Sequence, residues 1–167
     1  SGDTRYDQVL YRLSHRKILK ENLRPPQRLQ TLVAGSTWPE DEAALLSVVT
    51  PLLNEQRLQM ILAPHEPTPS HLGQLRDQLT KLGVTFRLYS EASEFNPGDV
   101  LIVDQVGILA DLYAWGAIAF VGGSFRGSVH SVMEPLGSGA VTLVGPHHYN
   151  NREALEFKHK SLNPQLH

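Results

Sequence analysis

The 167-residue chain has no cysteine, which removes disulfide frameworks, thiolate zinc sites and cysteine nucleophiles together. It has no apolar run near the roughly 20 residues that a membrane-spanning helix needs, and no signal-peptide core at its start. It lacks a surplus of either charge, with 15 Lys and Arg against 17 Asp and Glu. No overall basic field therefore draws it to nucleic acid, which is not expected as a partner. The phosphate-loop pattern G-x-x-x-x-G-K-[ST] and the dinucleotide pattern G-x-G-x-x-G are both absent. Internal repeats and low-complexity tracts are absent too.

What remains is ordinary globular material, 41% hydrophobic and 19% charged, of the size of one soluble domain. Ser1 to Gln8 reads as mid-protein sequence and Lys158 to His167 trails off without packing periodicity, so a piece of a longer protein is expected. Residues 1–28 divide off as a junction segment. Tyr6, Val9, Leu10 and Leu13 recur at helical spacing and predict an amphipathic helix over Asp7 to Lys20. Its basic residues serve a solvated face, or a surface for anionic lipid or a partner domain. Pro25-Pro26 breaks it.

Residues 29–167 alternate compact apolar runs with helical patterns. Strands are expected at Leu29 to Ala34, Leu58 to Ala63, Thr85 to Tyr89, Val100 to Val103, Ile118 to Val121 and Val141 to Val144. Between them helices are expected up to about Leu53, capped by Ser36 or Thr37; over Leu72 to Leu82, capped by Ser70 and stopped by Gly83; and over Gly107 to Tyr113. Strands without internal polar alternation, joined by helices, predict an α/β, Rossmann-like parallel sheet covered on both faces. In such sheets ligands bind outside the carboxyl ends of the strands. The residues there are Gly35-Ser36-Thr37, Pro64-His65-Glu66, Asp104 to Gly107 and Gly122-Gly123-Ser124.

The most informative stretch is Ile118 to Pro146, a strand, a glycine-rich loop, a short helix carrying Glu134, a second strand and a Gly145-Pro146 turn. A Gly-Gly-Ser turn before a helix can offer backbone N–H groups to an anion, and a carboxylate just inside that helix suits sugar hydroxyls. The expectation is a phosphate-and-ribose site. Trp38, at the ligand-facing edge, is a candidate contact, whereas Trp115 is assigned to the core. His147, His148, His159 and His167 match no tight metal-ligand spacing, and no metal or cofactor is expected.

Gly122-Gly123-Ser124, Gly127, His130, Ser131, Met133 and Glu134, closed by Gly145-Pro146, resemble the donor-binding half of the 3-deoxy-D-manno-octulosonic acid (Kdo) transferases of lipopolysaccharide synthesis. Gly2 to Asp7, Ala34 to Thr37, Ala63 to Glu66 and Ile102 to Tyr113 resemble further segments of the family, so the likeness runs along nearly the whole chain. It implies the C-terminal half of a GT-B fold, with CMP-Kdo as donor and a lipid A precursor as acceptor. It implies a general base on an N-terminal acceptor domain outside this chain, so no catalytic residue is named here and the chain alone is expected to be inactive. By resemblance the donor nucleotide is bound by Ser36, Pro64, His65, Gly107, Gly122, Gly123, Ser124, His130 and Glu134. The implied location is peripheral, on the cytoplasmic face of a bacterial inner membrane.

Two positions depart from the family pattern. Ser131 stands where many members have Asn after the His, and His65 where many have Arg. Arg forks onto phosphate or carboxylate in a way that a neutral His does not. The alternatives are a UDP-sugar GT-B glycosyltransferase or epimerase, and a catalytically silent Rossmann-like interaction module.

Overall fold

The computed structural model describes residues 4–14, 18–147, 151, 152 and 155. The described chain is built on six parallel strands: β1 (Thr31–Thr37), β2 (Gln59–Pro64), β3 (Phe86–Leu88), β4 (Val100–Ile102), β5 (Ile118–Val121) and β6 (Val141–Val144). Their spatial order is β3-β4-β2-β1-β5-β6.

Alternate strand residues feed two separate cores, which is why the strands read as unbroken apolar runs. Val33, Ile61, Leu101 and Ala119 face Leu23, Leu112, Tyr113 and Trp115. Leu32, Met60, Leu62, Val100 and Phe120 face the other way. There they meet Leu46, Val49 and Leu53 of helix α2 (Pro39–Asn54), and Leu75 and Leu79 of helix α3 (Pro69–Lys81). Leu46, Leu62 and Leu79 are wholly buried; side chains of this kind each contribute about 1.5–3 kcal/mol. The expected Rossmann-like sheet with helices on both faces is the fold observed. Among the described residues no helix is long and apolar enough to cross a membrane.

The order also fixes where a ligand can sit. From β1 the chain moves to one side through β2 and out to the edge strand β3, then comes back to β4 between them. It then returns through the short helix α4 (Leu109–Leu112) to β5, on the other side of β1. Connections leaving β1 and β5 therefore diverge, and the carboxyl ends of these two neighbours open the crevice of a topological switch point.

Several local expectations are corrected. Helix α1 spans Thr4–Ser14 rather than Asp7 to Lys20; residues 15–17 lie outside the described set, and residues 18–20 are not helical. Lys20 is held by tertiary contacts instead. Its backbone N–H donates to the Tyr89 hydroxyl at 3.0 Å, and its Nζ to the carbonyls of Tyr89 and Ser90 at 2.9 and 2.8 Å. Val9 faces inward, but Leu10 is 64% exposed.

Strand β1 starts later and ends later than the apolar run, because Arg28–Gln30 forms a 3-10 turn and Gly35, Ser36 and Thr37 remain in the strand. A register shift lies between Gly35 and Thr37, where Ser36 takes a φ of 52°. Trp38, not Ser36 or Thr37, is therefore the residue before α2. Thr68 rather than Ser70 caps α3, its hydroxyl accepting the His71 N–H at 3.2 Å, and Gly83 ends that helix at a φ of 67°. The helix expected from Gly107 contracts to α4 plus a 3-10 turn over Tyr113–Trp115. Strands β5 and β6 have the expected limits.

Candidate functional site

The floor of the crevice is a close approach of two backbones. Gly122 follows β5, and its N–H donates to the Gly35 carbonyl of β1 at 2.9 Å. A side chain at Gly35 would strike the Tyr113 hydroxyl. One at Gly122 would strike the Ser36 carbonyl and come within 2.8 Å of Thr37 Cα. Gly123 turns the chain at a φ of 99°, with the Ser128 carbonyl occupying the place of a Cβ. These glycines serve contact and turning.

That geometry corrects the expected anion site. The Gly122 amide is taken by Gly35, and the Gly123 N–H donates to Asp41 Oδ2 at 2.9 Å. The same Oδ2 accepts the Trp38 N–H at 2.9 Å. Asp41 is wholly buried, and its Oδ1 has no hydrogen-bond partner. A carboxylate of the chain itself thus fills the meeting point of the glycine turn and the positive end of α2. The short helix expected to carry Glu134 is observed as α5 (Met133–Gly137), but it does not start at Gly-Gly-Ser: a 3-10 turn, Ser124–Arg126, intervenes. Ser124 lies beneath the loop, 0% exposed, with its hydroxyl accepting the His147 N–H at 2.9 Å.

The rim is a row of stacked side chains. The Arg126 guanidinium lies 4.1 Å from the Trp38 ring centre. Trp38 meets His65 at 4.8 Å, tilted by 41°, and His65 stacks on His130 at 4.3 Å. Each member is anchored from a different element. His65 donates its backbone N–H to the Thr37 carbonyl at 2.9 Å, and His130 donates its own to the Gly122 carbonyl at 3.2 Å. Arg126 also forks onto Glu40, at 3.2 and 3.3 Å.

The electrostatics follow from these contacts. Burial pushes the pKa of His130 down, the charge of His65 pushes it further, and Asp41 opposes both. His130 Nε2 is buried without a partner. The Arg126 hydrogen bond holds Glu40 below the usual carboxylate range. Behind the rim, the Thr37 hydroxyl donates to Glu42 Oε1 and His71 Nε2 meets Glu42 Oε2, both at 2.9 Å. This buried network fixes the first turn of α2 against α3.

The structure therefore gathers Ser36, Pro64, His65, Gly122, Gly123 and His130 about one crevice. Pro64 is the buried last residue of β2, in register with Thr37. Glu134, half-buried in α5, is linked to the crevice floor through Tyr113: its charge, after burial, pushes the Tyr113 hydroxyl pKa up, and that hydroxyl lies over Gly35. Gly107 stands apart, exposed in the loop after β4, with β2 and β1 between that strand and β5. Sequence reasoning missed two members. Asp41 reads as one more acid in a helix's first turn, and Arg126 as a loop residue among glycines.

No protein-family model matches the chain. It is 33% identical over 144 residues to the 3-deoxy-D-manno-octulosonic acid transferase of Chlamydophila psittaci, covering 85% of this chain and 32% of that one. It is 36% identical over 137 residues to its namesake in Chlamydia muridarum, covering 79% and 30%. The chain thus spans about a third of the length of these curated relatives. Among solved structures it resembles the C-terminal CMP-Kdo binding domain of WaaA from Acinetobacter baumannii, with a TM-score of 0.71 and 22% identity over 90% of this chain and 75% of that one. At that identity the likeness shows the fold alone, a Rossmann-like domain of the kind that forms the C-terminal half of a GT-B fold.

Proposed function

We infer that the chain, which is similar to Kdo transferases along about a third of their length, belongs to that family and binds the donor in transfer of Kdo from CMP-Kdo. The observation that carries this reading is the meeting of His130, His65 and the glycine turn at the one switch-point crevice between β1 and β5, with Glu134 within electrostatic reach of the Tyr113 hydroxyl over Gly35. In such sheets that crevice is where nucleotides bind.

Each group has a part. Glu134 accepts hydrogen bonds from the ribose hydroxyls. Gly122 and Gly123, lacking side chains, let the ligand approach the backbone. His65 and His130 donate to oxygens of the leaving phosphate as its charge develops. Deprotonation of the acceptor hydroxyl, on a lipid A precursor, falls to a carboxylate in a separate acceptor domain of the same protein. The working location is the cytoplasmic face of a bacterial inner membrane.

Calorimetry with CMP against UDP tests the donor assignment. CMP is expected to bind more tightly, and equal or preferential binding of UDP sinks it. One observation favours a second reading, a catalytically silent module: the Gly122 and Gly123 amides are both used within the chain. Turnover of CMP-Kdo with a lipid A precursor by the complete protein excludes that reading.

A further inference from the structure

Resting on the donor reading, we propose that Arg126, laid across Trp38, is the residue that grips an anionic oxygen pair of the donor, exchanging Glu40 for the ligand. The donor offers two such pairs, its phosphate and the carboxylate of its sugar acid. Either is planar-forked or tetrahedral chemistry that a guanidinium matches with two parallel N–H donors.

The need for such a residue comes from the glycine turn. A phosphate at a strand-to-helix turn is ordinarily held by free backbone amides. Here Gly122 N–H is committed to Gly35 and Gly123 N–H to Asp41, whose buried carboxylate also repels a second anion at that spot. An anion at this crevice is therefore held by side chains on the rim. Arg126 supplies a fixed positive charge there, whereas His130, stacked on a second imidazole at 4.3 Å, does not: burial and that neighbour hold it below its ordinary value.

The position of Arg126 is prepared. The indole of Trp38 supports the flat face of the guanidinium at 4.1 Å, leaving its N–H edges to point outward. Those edges already hold a carboxylate, Glu40, at 3.2 and 3.3 Å. The pair is surface-borne, with side-chain exposures of 46% and 49%. Exposed pairs of this kind are weak and open readily to a competing anion. Glu40 is then a stand-in that keeps the fork oriented while the site is empty.

The experiment is calorimetry of the complete protein and three variants, Arg126→Ala, Arg126→Lys and Glu40→Gln, with CMP, cytidine and free Kdo. If the grip is on phosphate, Arg126→Ala weakens CMP about tenfold or more and leaves cytidine unchanged. If it is on the carboxylate, Arg126→Ala weakens free Kdo and leaves CMP unchanged. Arg126→Lys, which keeps the charge and loses the fork, falls between. Glu40→Gln tightens the same ligand by removing its charged competitor. Unchanged binding of both CMP and Kdo by Arg126→Ala overturns the proposal, as does an equal loss for CMP and cytidine. Should Arg126→Ala not fold, no tightening in Glu40→Gln overturns it alone. Wild-type protein that binds neither CMP nor Kdo overturns the donor reading along with it.

Discussion

Asp41 and Gly123, 82 residues apart in sequence, are joined by a buried 2.9 Å hydrogen bond from the glycine amide to the carboxylate. Because Asp41 Oδ2 also accepts the Trp38 N–H, one carboxylate ties the start of α2 to the turn after β5. Asp41→Ala leaves the two N–H groups without their acceptor, the Gly123 N–H at a buried site and the Trp38 N–H at a part-buried one. Each unsatisfied group costs about 1–3 kcal/mol, so the loss of stability is expected at about 2–6 kcal/mol. Asp41→Asn, which keeps one oxygen, is expected to lose less. Urea denaturation midpoints check both, and equal midpoints for Asp41→Ala and wild type remove this role.

Gly122 and Gly83 give a matched contrast. A Cβ at Gly122 meets backbone atoms of Ser36 and Thr37 and lies 2.9 Å from Asp41 Oδ2. The Ser36 and Thr37 backbone atoms cannot give way without separating β1 from β5, so Gly122→Ala is expected to cost about 3 kcal/mol or more. Gly83 has a φ of 67° and open space around it, so Gly83→Ala carries only the left-handed backbone penalty of about 1–2 kcal/mol. Thermal unfolding of the two variants side by side tests the order; a Gly83→Ala loss equal to that of Gly122→Ala contradicts it.

These residues also mark how far the sequence could be read. β5 and β6 were legible because apolar runs lie between glycine-bearing turns, and the sheet because its strands lack polar alternation. The limits of β1 were not, since its last three residues are small or polar and are held in the strand by pairing with Ala63 and Pro64. The positive φ of Ser36 has no local signal in a non-glycine residue. Asp41 was visible as a charge but not as a buried one, because its partner comes from another strand end. The row Arg126–Trp38–His65–His130 is drawn from three separated segments, so no spacing rule could assemble it. His65 and His130 were singled out; that they touch each other was not.

That contact gives a pH dependence with a definite sign. Burial and His65 hold His130 below its ordinary value of 6.5, against the pull of Asp41. The unfolded chain then takes up a proton that the folded chain refuses. The stabilising contribution is complete above the unfolded pKa and is lost as pH falls from there through the folded pKa. Wild type is expected to lose stability between about pH 7 and pH 5 more steeply than His130→Phe. In NMR titrations, His65→Ala is expected to raise the His130 pKa and Asp41→Asn to lower it further. Parallel stability profiles for wild type and His130→Phe count against this account.

Glu134 offers the most direct test of the ribose contact. Its carboxylate is half-buried in a five-residue helix, within electrostatic reach of the Tyr113 hydroxyl that lies over Gly35. If it accepts the paired ribose hydroxyls, Glu134→Ala is expected to lose about 1–3 kcal/mol of CMP affinity. Deoxy-CMP, lacking one hydroxyl, is expected to lose part of that in the wild type and little more in the variant, because the missing contact is then counted once. A structural role of Glu134 predicts something different: the variant would weaken CMP and deoxy-CMP by the same factor. Calorimetry across this four-way cycle separates the two, and it does so without requiring any turnover from the acceptor side.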